Sequence, residues 1–226
     1  MAVIELISSN ATHALLQALA AAFERESGHQ VSLRMDSAVV MLARIKEGES
    51  ADVAVLNAPH LDELSELGII DARTRRLFAR SRIGVAVRAG EPHPDISSVE
   101  ALKRTLSESR AVAHTVHGAS GSYVPTLLAR LGIADRTKTV TRPGGLIGKV
   151  VAAGEADIAV QQISELLAVP GIEVVGPLPD EVQKTLESAA GIFSASKQHE
   201  AAEALLRFFA SPAAAAAFEA RGLEPA

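Results

Sequence analysis

Three short apolar runs follow one another at the start of the chain, and each is closed by small polar residues that open a helical pattern. Val3–Ile7 runs into Ser8-Ser9-Asn10, and then into a stretch with Leu15, Leu16, Leu19 and Phe23 at helical spacing, which ends at Gly28. Gln30–Arg34 runs into Asp36-Ser37 and a helix through Val40, Leu42 and Ile45, which Gly48 ends. Asp52–Leu56 runs into Asn57-Ala58-Pro59-His60, with proline near the first helical position, where its missing N–H is harmless. A β-α-β-α-β-α order with short connections allows few folds. It predicts an open α/β sheet with parallel strands, whose ligands lie beyond the carboxyl ends of those strands. Ser8–Asn10, Asp36-Ser37 and Asn57–His60 all fall at such ends.

The second half is built in the same manner. Ala111-Val112-Ala113 reads as a buried strand that breaks into His114–Ser122, and Ser120-Gly121-Ser122 leads into a helix over Tyr123–Leu131. Lys138–Thr141 is a weak strand before Arg142 and a helix that Pro143-Gly144-Gly145 starts. Asp157–Val160 is a strand after which Gln161-Gln162-Ile163-Ser164-Glu165 opens a short helix, and Ile172–Val175 is another strand. Asp71–Arg80 reads as a polar helix. Two apolar runs, Ile83–Val87 and Ser188–Ser196, read as strands joining two lobes, and two helices close the chain. The expected lobes are residues 1–82 with 193–226, and 83–192. A strand that turns into a helix leaves unpaired backbone N–H groups and partial positive charge at one point, which suits an anion. The same serines also read as plain helix caps.

Composition removes several function classes. The formal net charge is −5 with signs interspersed, and no basic stripe stands out, so nucleic acid is not an expected partner. Aromatic residues make up only 3% and Trp is absent, which argues against stacking as the main binding mode. Without cysteine there is no thiol nucleophile or thiolate metal site, and metal ligation is disfavoured because no His/Glu pair stands at helix spacing in a cleft loop. No metal and no cofactor are expected. No run approaches the roughly 18 apolar residues of a membrane span. No signal peptide is visible in Met1–Ile7, so the expected compartment is the cytoplasm as written, or the periplasm if a leader was removed. Gly118-Ala119-Ser120-Gly121-Ser122 lacks the second glycine of a serine-hydrolase elbow.

Five stretches carry a likeness that runs over nearly the whole chain: FERESGHQV (Phe23–Val31), MLARIKEGESADVAVL (Met41–Leu56), ASGSY (Ala119–Tyr123), GEADIAVQQISEL (Gly154–Leu166) and FFASPAAAAAFEARGL (Phe208–Leu223). They resemble the family of periplasmic molybdate-binding proteins. The resemblance implies a two-lobed type 2 periplasmic-binding fold, with two mixed sheets flanked by helices and an interlobe cleft. In that family the anion is held in the cleft by serine hydroxyls, backbone N–H groups and a tyrosine hydroxyl. By position the resemblance puts the first loop on Ser9–Ala11, the second on Ser37–Val39, the third on Ser120 and the fourth on Gly144, while Gln162 stands where the tyrosine falls. It also implies an ABC transporter permease as a partner. The VQQISELL and VPGI segments are similar to an aconitate-isomerase-like subset, which uses the same fold on a tricarboxylate.

Two functions therefore stand side by side. One is a solute-binding protein for a small anion, an oxyanion or a di- or tricarboxylate. Its ligand would be held by Ser8, Ser9, Asn10, Ser37, Asn57, Ser120, Gly121, Ser122, Arg142, Gly144, Gly145 and Gln162. The other is an aconitate isomerase, which needs a group that takes a proton from one carbon and returns one to another. Histidine can do both near neutral pH, and His114 and His117, with His60 behind them, are the candidates. Arg142 would pair a carboxylate through its planar fork.

Overall fold

The computed structural model describes residues 1–226. The chain divides into two compact units, Met1–Arg80 with Glu187–Ala226, and Ser81–Leu186.

In the first unit the order of elements is β1 (Val3–Ser9), α1 (His13–Ser27), β2 (Gln30–Asp36), α2 (Ala38–Lys46), β3 (Val53–Asn57) and α3 (Ala58–Glu66). β1 lies between β2 and β3 and is parallel to both. Its neighbours in register are Ser9 with Asp36 and Ser8 with Val55, so the carboxyl ends of all three strands meet at one edge. β4 (Arg76–Arg88) leaves this unit after Arg80 and β9 (Thr185–Ile192) re-enters it at Glu187. β9 runs antiparallel to β3 over Ser188–Ile192. The helices α8 (His199–Phe209) and α9 (Pro212–Glu219) and a short β10 (Leu223–Pro225) complete the unit. The strand order is β2-β1-β3-β9-β4, with β10 on β4.

The strands are apolar on both faces because both faces are covered. Ile4, Leu6, Val53 and Val55 pack with α1, α8 and α9, while Ile7, Ala54 and Leu56 pack under α2 and α3. Gly28 ends α1 in the left-handed conformation (φ 71°), with its N–H on the Glu24 carbonyl.

The second unit holds the rest of β4, then α4 (Val99–Glu108), β5 (Val112–Thr115), α5 (Val124–Arg130), β6 (Thr139–Arg142), α6 (Gly148–Ala152), β7 (Ile158–Gln162), α7 (Ile163–Leu166) and β8 (Ile172–Pro177). β5 is parallel to β6 and β7, and β4 is antiparallel to β7 and β8. Here too each face has its own core, one around Ile83, Val85, Val112 and Val160, the other around Ala86, Ala113, Val151 and Ala159.

Two expectations are corrected. Asp71–Arg80 is not a helix: a single 3-10 turn over Ala72–Thr74 leads into the thirteen residues of β4. Phe78 decides this, since in the strand it reaches the rings of Phe209 and Phe218, 5.1 and 5.2 Å away between centroids. Pro143-Gly144-Gly145 does not start a helix. Gly145 turns with φ 87°, and α6 begins only at Gly148. The helix expected over Tyr123–Leu131 is α5, Val124–Arg130, preceded by a 3-10 turn over Gly121–Tyr123; its seven residues are too short for much of a dipole. No single helix is long and apolar enough to cross a membrane.

Candidate functional site

In the first unit the loops that follow β1, β2 and β3 gather at the carboxyl edge. Ser8 is fully buried. Its hydroxyl donates to the Val55 carbonyl (3.0 Å) and lies 2.7 Å from the Thr12 hydroxyl, so it ties β1 to β3. Ser9, only 2% exposed, precedes the 3-10 turn into α1, and its hydroxyl has no hydrogen-bond partner in the protein. Asn10 is exposed. Ser37 caps α2 by accepting from the Val40 N–H at 3.4 Å, so its hydroxyl already serves its own helix. Asn57 stands at the start of α3 without a side-chain cap bond. His60, one turn into α3, is half-buried with Nδ1 unpartnered. Burial pushes its pKa below the ordinary histidine value, against the opposing pull of Glu63.

In the second unit the register sets Thr115 beside Arg142 and His114 beside Thr141, and β7 ends at the same edge with Gln161 and Gln162. Val116 and His117 donate their N–H groups to the carbonyls of Arg142 and Pro143, which couples the loop after β5 to the loop after β6. Gly121 packs so tightly that a Cβ there would lie 2.2 Å from both the carbonyl oxygen and the hydroxyl of Thr115. Only glycine lets the Ser120–Ser122 turn seat on the strand end. Ser120 is 3% exposed, and the exposed Ser122 bonds back to the Ala119 carbonyl at 3.4 Å. The turn is anchored from behind: the Tyr123 hydroxyl donates to the Val182 carbonyl (2.7 Å) and accepts from Arg130 (3.0 Å).

His114 is buried on β5, and its Nδ1–H donates to the Thr115 carbonyl at 2.9 Å, which leaves Nε2 as the basic nitrogen. His117 is exposed on the loop. Arg142 extends to the surface, where it pairs with Glu155 at 2.6 Å, and both partners are well exposed. Gly144 and Gly145 lie in the loop that Gln161 clamps. The Gln161 amide donates to the Gly145 carbonyl (2.8 Å) and accepts from the Ile147 N–H (2.9 Å). On the other face of β7, Gln162 donates to Glu165 at 3.3 Å. Burial pushes the Glu165 carboxyl up to about 7, and the Gln162 amide draws it part of the way back.

Sequence reasoning does not reach Gln161 or Glu165 as site residues. The doubled glutamine at a strand end is the available signal, since adjacent strand residues face opposite sides and the pair must serve two different loops. No group of three or more His, Asp or Glu side chains stands together as a metal site would need.

The geometry defines a class first: an α/β protein of two units, each with the loops of its parallel strands gathered at one edge. Residues 4–224 match the bacterial extracellular solute-binding protein family, and the chain belongs to that family. An aconitate isomerase of a Pseudomonas species is 36% identical over 228 residues, covering 97% of this chain and 87% of that protein. The periplasmic molybdate-binding protein of Azotobacter vinelandii has the same fold at 20% identity (TM-score 0.77, covering 97% of this chain and 98% of that one). So does the sulfate-binding protein of Mycobacterium tuberculosis at 19% identity (TM-score 0.80, 100% of this chain and 87% of that one).

Proposed function

We propose that this protein binds a small anion, of the polycarboxylate class, through the strand-end loops. The observation that carries the reading is the Ser9 hydroxyl, buried at the edge where three strands end and without a partner in the protein. A buried hydroxyl left unpaired costs about 1–3 kcal/mol, so such groups usually answer to something else. At the second unit's own edge Gln162 ends β7 and Ser120 lies in the turn after β5, and these side chains too donate without adding charge. An anion bound this way keeps its own charge and is recognised by the number and direction of N–H and O–H groups. The carboxylate class is favoured over an oxyanion by the isomerase relative, whose identity far exceeds that of the molybdate- and sulfate-binding structures.

Delivery to an ABC transporter permease and a periplasmic site of action follow from the family as part of this proposal. The test is calorimetry of the purified chain against cis- and trans-aconitate, citrate, sulfate and molybdate. A tricarboxylate should bind most tightly. Ser9→Ala tests the edge of the first unit and Ser120→Ala, separately, the edge of the second; loss of the hydroxyl that the anion uses should weaken binding about tenfold, as loss of one hydrogen bond to a charged group does. Binding of molybdate alone would overturn the carboxylate class, and unchanged affinity in both variants would overturn the site.

A second reading, isomerisation of aconitate, is favoured by the 36% identical relative and by His114, held at a strand end with Nε2 as its basic nitrogen. An allylic proton transfer would use that nitrogen to take the proton from one carbon and a group of the same edge to return it to another. NMR of trans-aconitate in D₂O separates the readings. Deuterium entering the allylic position, and its loss in His114→Asn, supports the enzyme; tight binding without exchange leaves the binder.

A further inference from the structure

Glu165 is the one acid that burial holds near neutrality, and neither reading above uses it. It lies in the four residues of α7, one turn beyond Gln162, and its Oε2 accepts from the Gln162 amide at 3.3 Å. Gln162 is 7% exposed and ends β7 at the edge that Thr115 and Ser120 share. We propose that Glu165 is a positioning residue for the Gln162 amide: the proton on Glu165 decides whether Gln162 turns its N–H groups or its carbonyl toward the strand-end edge, so anion binding there takes up a proton.

The chemistry is that of one amide and one carboxyl. An ionised carboxylate only accepts, so it holds Gln162 by Nε2. A protonated carboxyl has an O–H to donate and can hold the amide by its oxygen instead, which turns Nε2 and both its hydrogens away from Glu165. An anion at the edge draws N–H groups toward itself and disfavours a second negative charge close by. It therefore selects the protonated form.

No charged neighbour competes for this role. The elements packed on α7 are β7, β8, β4 at Gly84 through Ile163, and α6 and β5, which share a core with Leu166; α6 carries the exposed Lys149, and β5 carries His114, whose Nδ1–H bonds the Thr115 carbonyl. β7 carries no charged residue over Ile158–Gln162. On β8, Glu173 pairs with His93 at 3.1 Å. On β4, Arg82 pairs with Asp180 and Arg88 with Glu91. What acts on Glu165 is burial and, against it, the Gln162 amide, the glutamine that bonds it.

The inference rests on the anion-binding reading, and its test has a part that does not. The side-chain ¹⁵N signal of Gln162, assigned by its loss in Gln162→Met, is followed from pH 5 to 9 in the full chain without ligand. It should titrate near pH 7 in the wild type and stay flat in Glu165→Gln. A Gln162 signal that does not move, or that moves equally in Glu165→Gln, overturns the proposal. If the variant does not fold, the ¹³C shift of the Glu165 carboxyl in wild type takes its place: a midpoint shared with the amide supports the proposal, and a different midpoint overturns it.

The second part is calorimetry with trans-aconitate, sulfate and molybdate at pH 6 and pH 8, in buffers of low and high ionisation heat. Uptake of up to one proton, and affinity falling by up to tenfold per pH unit above the midpoint, support it. Both should vanish in Glu165→Gln and Gln162→Met. Binding with no proton uptake overturns the coupling. If no probe binds while the amide titrates, the anion-binding reading fails and the Gln162–Glu165 pair stands.

Discussion

Gly28 and Gly121 are both obligatory glycines, for different reasons that one substitution separates. At Gly28 the backbone is left-handed (φ 71°) and a Cβ would meet nothing within 4 Å. Gly28→Ala should therefore cost only the conformational penalty, about 1 kcal/mol. At Gly121 the φ is unremarkable, but a Cβ would meet the carbonyl oxygen of Thr115 at 2.2 Å, and a backbone atom cannot swing aside as a side-chain tip can. Gly121→Ala should cost about 3 kcal/mol, in the range of severe overpacking. Urea unfolding followed by circular dichroism reads both values. Equal losses at the two positions would mean that the turn after β5 does not sit on Thr115 as described.

At the scale of elements, the turn that carries Ser120 is held by a neighbour rather than by a long helix. Tyr123 bonds the Val182 carbonyl, Arg130 bonds both Tyr123 and the Glu181 carbonyl (3.0 Å), and the Lys184 ammonium lies 5.7 Å over the tyrosine ring. Tyr123→Phe deletes the hydroxyl shared by two of these contacts and leaves the buried Val182 carbonyl without it. Chemical denaturation should show a loss of about 1–2 kcal/mol. Anion affinity should change less than about threefold, because the Gly121–Thr115 packing still seats the turn. A variant as stable as wild type would show that the pin is not used. β4 makes the complementary point: its first half reads as a charged helix in sequence and becomes a strand because Phe78 finds two aromatic partners from α8 and α9, far away along the chain.

For the whole molecule, two acids that move in opposite directions contribute to the pH dependence of stability. Glu165 titrates at about 7 in the fold against an ordinary value of 4.5, so between those values the folded chain keeps a proton that the unfolded chain gives up. Stability therefore falls as pH rises from about 4.5 to 7, by on the order of 3 kcal/mol, and the loss is complete above that window. In Glu165→Gln this slope disappears, so the variant should gain on wild type at pH 8 compared with pH 5. Asp71 is the reverse case. Arg73 holds its carboxyl at about 2, and that contribution is present above the ordinary value of 3.8 and lost as the pH falls toward 2. Thermal unfolding from pH 3 to 9 for both proteins tests the pair. Parallel curves above pH 4.5 would remove Glu165 as the cause.

The local and periodic part of this protein is legible in its residues alone. The order of strands and helices in Met1–Glu66, the stop at Gly28, the cap at Ser37 and the placing of Ser9 and Gln162 at strand ends are all set by residues a few positions apart. Turn chemistry and apolar spacing act over that range, and they act before any tertiary contact exists. Whatever depends on distant partners is settled only once the chain has folded. Phe78 then makes a strand of Arg76–Arg88, Arg142 turns outward to Glu155, and Gln161 turns inward to clamp the Gly145 loop. Folding also brings the half-buried Glu165 against Gln162. The ionisation of a carboxyl is governed by what surrounds it in space, and a chain that has not folded surrounds every glutamate with water.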